Sequence, residues 1–207
     1  MRKKLLLLFA ALLVAGCGEK SSPEDSPRKT DIQQIPEQNL KGAVDIMSLE
    51  ERNGVYYRTN ESEPFSGWAK NMFATGNLGG LMEYKDGKLD GLSTQYYFTG
   101  QKLSEDTYKR GKQDGPFTKW HSNGQRLAEG NYKDGKLDGL KTEWSILNGK
   151  KKSEYTYKDG KEDGPYTRWH ENGQKQAQGI CKDGGTVSAK YWNRKGEEVE
   201  TFAESVE

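Results

Sequence analysis

The 207-residue chain carries 32 basic and 31 acidic side chains and two histidines, a net charge of +1. So even a balance excludes the basic field that a nucleic-acid-binding surface requires. Only 32% of the residues are hydrophobic, which excludes a thick aliphatic core, but five Trp, eleven Tyr and six Phe are available in its place.

The chain opens with Arg2, Lys3 and Lys4, then the apolar run Leu5 to Ala15. A basic head, a short apolar stretch and small residues form the pattern of a secretory signal over residues 1–16. A spanning helix needs about 20 apolar residues, so the run predicts an export signal rather than a membrane span. Its end, Val14-Ala15-Gly16-Cys17, resembles the bacterial lipobox. The resemblance implies cleavage before Cys17, acylation of that thiol, and lipid anchoring to the bacterial cell membrane, the outer membrane in a didermic cell. Ordinary signal cleavage with a bystander thiol is the alternative. Loss of the three basic residues would leave 29 against 31, a net of −2. A domain so charged has little attraction for anionic lipid, so the expected membrane contact is the lipid on Cys17 itself. Cys181 is then the one remaining cysteine, and no internal disulfide is expected.

Residues 17–43 are polar, proline-bearing and free of aromatics, which predicts a disordered tether. Residues 44–66 read as a capping hairpin, with Ser48 and Glu51 spaced to box a helical turn before it.

The glycines then become periodic. Gly67, Gly91, Gly115, Gly139 and Gly164 recur at steps of 24, 24, 24 and 25, and two further glycine series keep the same step. Five units over 67–189 make an internal repeat. Each unit reads as two strands and two turns. In the third, Asn123-Gly124 predicts a type I′ hairpin turn, Asp134-Gly135 turns the chain back, and Gly139 opens the next strand. Tyr96, Trp120, Trp144 and Trp169 recur at one position, and Tyr84, Tyr108, Tyr132 and Tyr157 at another. The expectation is that these rings form buried columns on one side of the sheet. The fold class is therefore all-β, an elongated antiparallel meander of stacked hairpins of about 24 residues. Residues 190–207 supply a C-terminal cap and tail.

The unit "DGxxxxWxxNGQxxxxxxYKDGKxDG" resembles the bacterial variant of the MORN (membrane occupation and recognition nexus) repeat over about 65–189. That resemblance implies scaffold or adaptor roles. In the group of repeat lipoproteins that the chain resembles, some members are labelled antitoxin components, which would mean binding a partner toxin.

No residue set predicts catalysis, a cofactor or a metal. Asp86, Asp90 and Gly91 mimic part of a calcium loop, but Lys88 and Tyr97 replace a ligand and the closing glutamate. His121 and His170 stand two repeats apart, roughly 20 Å along the sheet by strand spacing, and read as solvated strand residues. Cys181 reads as a small apolar filler, reactive only if the sheet edge leaves it open.

The face opposite the rings is assigned Lys119, Glu143, Arg168, Glu105, Glu129 and Glu154. A solvated face explains them, as does a docking strip made of Lys119, Glu143 and Arg168 with Tyr97, Phe117, His121, Tyr166 and His170. The reading adopted is a non-catalytic, membrane-anchored repeat protein that binds a protein partner at the cell envelope. The alternatives are an envelope spacer contacting cell-wall or surface glycan, and an antitoxin-like partner of a toxin.

Overall fold

In the computed structural model, which describes residues 37–206, the paired Asp-Gly steps set the architecture. A helix α1 (Glu37–Gly42) occupies residues assigned to the tether. Strand β1 (Val44–Asp45) leads into a 3₁₀ turn, Ile46–Ser48. The Asp45 carboxylate accepts from Met47 N at 2.9 Å, so Asp45 caps this turn and Ser48 does not. Strands β2 (Leu49–Arg52) and β3 (Val55–Arg58) form a separate hairpin closed by Asn53-Gly54.

The main sheet follows. Its strands are β4 (Gly67–Met72), β5 (Leu78–Lys85), β6 (Lys88–Tyr96), β7 (Lys102–Lys109), β8 (Lys112–Trp120) and β9 (Arg126–Lys133). They continue as β10 (Lys136–Leu137), β11 (Gly139–Trp144), β12 (Lys151–Lys158), β13 (Lys161–Trp169), β14 (Lys175–Lys182), β15 (Gly185–Trp192) and β16 (Glu198–Val199). From β4 onward each strand lies antiparallel beside its predecessor in one open 14-stranded meander, with β1 parallel along its first edge and β10 paired to β9. Helix α2 (Phe202–Ser205) ends the described chain.

The two turn types exchange places relative to expectation. Asp134 and Gly135 both have positive φ, 50° and 83°, which is the type I′ requirement. At the other end of the hairpin only Gly124 does, at 86°. His121 N donates to Gln125 O and Gly124 N to His121 O, each at 2.8 Å. That is a longer loop ending on a left-handed glycine.

The second Asp-Gly opens β11 at Gly139, as expected, but in β6, β8 and β13 it lies inside the strand. Tyr108 pairs with Gln113 and Asp106 with Phe117, so Asp114-Gly115-Pro116 opposes Thr107 alone in a bulge. A Cβ on Gly115 would stand 2.9 Å from the Thr107 side chain. The Asp114 carboxylate accepts from Asp134 N at 3.4 Å, and Asp90 accepts from Arg110 N at 3.1 Å. One Asp-Gly makes the turn; the other bends the strand and caps the turn of the following repeat.

The rings occupy both faces. Tyr108 pairs with Gly91 and Tyr132 with Gly115, whereas Trp120 lies five residues past Gly115 and alternates to the other side. The Tyr84, Tyr108, Tyr132 and Tyr157 column therefore lines one face, and Tyr96 with the indoles the opposite one. Along the tyrosine face, Phe117 sits 4.9 Å from Tyr132, and Tyr155 stacks on Tyr166 at 5.0 Å with 4° between planes. Glycines make room: a Cβ on Gly130 would come within 2.9 Å of Phe117. Of the eight column residues only Tyr84 and Tyr96 are buried; the others are half-buried, because a single-layer sheet has no second layer to cover them. Caps thicken the ends. Phe65, Ala69 and Tyr84 form a cluster under Val44, Ile46 and Leu49. At the far end Tyr166, Ala177 and Cys181 cluster with Tyr155, and Phe202 of α2 meets Tyr191 at 6.0 Å.

Candidate functional site

The six charged residues assigned to the face opposite the rings divide between two faces. Lys119, Glu143 and Arg168 share the tyrosine face, since Lys119 pairs with Ala128 two places along from the Phe117–Gly130 pair. Glu105, Glu129 and Glu154 pair with Thr118, Thr118 and Thr142 respectively, on the indole face. Pair membership separates the two groups, because strand alternation allows each residue only one side.

Three members of the strip are buried. Phe117 is 4% exposed and Tyr166 6%, each covered by its neighbouring ring. His170 is 7% exposed and lies in a turn, with Nε2 2.8 Å from Trp192 O, so it is not a solvated strand residue. The rest stay accessible to different degrees. Lys119 is exposed, with its ammonium 5.8 Å over the Phe117 ring. Arg168 stands 5.1 Å from the Phe202 ring, which places it beneath the C-terminal cap. Tyr97 donates from its hydroxyl to Trp120 O at 2.9 Å, and His121 Nδ1 accepts from Asn123 N at 3.4 Å. Glu143 is paired with Lys141 at 2.6 Å and Ser153 at 3.3 Å. Burial pushes its carboxyl up, but these two donors outweigh burial and hold it below the usual carboxylate range.

Cys181 is buried at 2% exposure, and burial pushes its thiol up, so it packs as the filler the sequence predicts. Cys17 lies outside the described residues. Among the described residues no group of three His, Cys, Asp or Glu could hold a metal ion, and no helix is long and apolar enough to cross a membrane.

The edge formed by the Asn-Gly loops carries features that periodicity alone does not reveal. Side chains there reach forward to the next loop. Asn77 Nδ2 donates to Phe98 O at 2.8 Å, Asn148 to Glu171 O at 2.6 Å, and Asn172 to Arg194 O at 2.8 Å. Lys150 adds a bond to Asn172 O at 2.8 Å. Between the last two of these loops opens a cleft of about 350 Å³ on the indole side, floored by Trp169 and flanked by Lys151, Lys152 and Arg194. Its signal in the sequence is the single 25-residue step, whose extra residue falls in the loop Ser145–Lys150 at the cleft mouth.

An open meander of near-identical hairpins, each contacting only its chain neighbours and stapled along both edges, defines a β-hairpin repeat protein. Residues 89–110, 113–134 and 162–180 match the family model described as MORN repeat variant, so these hairpins are MORN-type repeats. No curated protein matches it.

Proposed function

We propose that this is a non-catalytic repeat protein, lipid-anchored through Cys17 in the bacterial envelope, that presents the tyrosine face of its middle repeats to a protein partner. The observation that carries this reading is the distribution of cover on that face. The N-terminal cap lies over Tyr84, and α2 lies over Tyr191 and Arg168. Between them Tyr132 and Tyr155 remain half-buried beside Lys119, Lys141 and Glu143. Half-covered rings among charges of both signs are the composition of a protein-binding patch, with aromatic anchors inside a polar rim. The basic head, short apolar run and lipobox-like Val14-Ala15-Gly16-Cys17 support the anchor.

A photo-cross-linker placed at Lys119 in living cells tests the partner. One dominant protein adduct is expected; scattered or glycan-only adducts would instead support a spacer role. The anchor is tested by Cys17→Ser, which releases the protein from the membrane fraction if acylation holds it there.

A further inference from the structure

The cleft at the Asn-Gly edge lies on the opposite face from the proposed partner surface and calls for its own ligand. Its volume, about 350 Å³, falls at the small end of the range of roughly 300–1,000 Å³ that ligand pockets occupy. It therefore suits one ring with a substituent and not a peptide or a lipid headgroup with its chains. Its floor is an indole. Elsewhere on this face Lys102 stands 5.5 Å over Trp120 and Lys175 5.0 Å over Trp192, while among the described residues no cation stands over Trp144. The equivalent cation for Trp169 is Lys151, which pairs with Glu154 as Lys102 pairs with Glu105, but among the described residues no cation stands over the Trp169 ring. The extra residue in the preceding loop opens the mouth of the cleft there, with Ile146 and Leu147 exposed at 54% and 71%.

The polar lining is equally specific. The Asn148 and Asn172 amides are spent on the loop staples and on backbone N–H groups of their own loops. The side chains of Lys152, Arg194 and Gln176 line the cleft with no hydrogen-bond or ion-pair partner among the described residues, although Lys152 also feels the charge of Glu143. Glu171 is the single acid in the lining against Lys151, Lys152 and Arg194, so the site is positive within a nearly neutral protein. An open indole face accepts the C–H face of a pyranose. A guanidinium fork and an ammonium accept a carboxylate, and the Gln176 amide can serve a hydroxyl.

We infer that the cleft under the Ser145–Lys150 loop binds an acidic saccharide, a pyranose ring stacked on Trp169 with its carboxylate held by Lys152 and Arg194. Neutral glycans would lose the charge-assisted contacts, and simple anions would lose the stacking.

The test titrates the folded protein with a tetrasaccharide containing glucuronic acid, with cellotetraose, and with inorganic phosphate, following the Trp169 indole N–H signal by NMR. Saturable movement of that signal by the acidic tetrasaccharide is expected, with cellotetraose at least about tenfold weaker. Lys152→Ala and Arg194→Ala should each weaken binding by about tenfold, the size of one charge-assisted hydrogen bond. Both positions are exposed, so these variants stay folded even if Trp169→Leu does not. The proposal is overturned if the acidic tetrasaccharide leaves the indole signal unmoved. It is equally overturned if phosphate or anionic phospholipid vesicles bind as tightly as the sugar, or if the two variants bind it unchanged.

Discussion

At the scale of single residues, glycine serves two separate purposes. Gly135 faces open space, and only its φ of +83° demands glycine. Gly135→Val should therefore cost about 1–3 kcal/mol in chemical denaturation, all of it backbone strain. Gly130 is needed because a ring occupies the space of its Cβ, 2.9 Å from Phe117. Gly130→Ala should cost about 1–3 kcal/mol by overpacking, and pairing it with Phe117→Leu should recover part of that loss. A neutral Gly130→Ala would mean that the Phe117–Gly130 register is wrong. The asparagines of the loops act through their amides. Asn172→Ala removes one forward staple and the acceptor of Gln174 N, and should cost about 1 kcal/mol, with faster amide exchange at Gln174 and in the loop around Arg194.

At the scale of elements, sequence periodicity and structure agree on strand count, order and pitch, because every unit repeats the same turn residues at the same spacing. Facing was harder to read. Counting by twos from Gly115 puts Trp120 on one side, but Tyr132 is reached only through a loop and a register shift between Lys119 and Trp120. No count along the sequence carries parity across that shift, so the two columns seemed to share a side. The turn types were exchanged because Asn-Gly and Asp-Gly have nearly the same propensity for positive φ, and the loop length between paired strands decides which is used. Burial of Phe117 and Tyr166 was hidden for a related reason: their cover comes from a cross-strand neighbour, Tyr132 in one case and Tyr155 in the other. The columns themselves make a graded prediction. Tyr96, 2% exposed, should cost about 3–5 kcal/mol on replacement by Ala. Half-buried Trp144 should cost only about 2 kcal/mol, because less area leaves water. Equal losses at the two positions in denaturant titrations would contradict a sheet that is thicker at its N-terminal end.

At the scale of the whole molecule, stability depends on phenols that are neutral when folded. Burial is the main force pushing both Tyr84 and Tyr157 up to about 12, with nearby Tyr56 adding to it at the first and Glu162 at the second. An unfolded tyrosine ionises near 10, so between about pH 10 and pH 12 the unfolded chain binds fewer protons than the folded one. Stability should be unaffected by these groups below pH 10 and fall as pH rises through that window. Tyr84→Phe should blunt the fall, read as the melting temperature against pH. The forward-reaching amides set a further property at this scale. Asn77, Asn148 and Asn172 each hold out an amide donor to the following loop, which gives these parts of the row a direction, and an open row offers an edge that can recruit copies of itself. The last loop does otherwise, as the middle loop also does: Asn193 Nδ2 turns back to Glu197 of its own loop at 2.8 Å, and Asn123 Nδ2 to Gln125 at 3.0 Å. A second molecule arriving at this end meets an amide already satisfied and a terminal strand of two residues, Glu198–Val199. Head-to-tail polymerisation into filaments, the standing hazard of any sheet with free ends, is thereby opposed at this end by a short last strand and a loop amide that offers no donor outward.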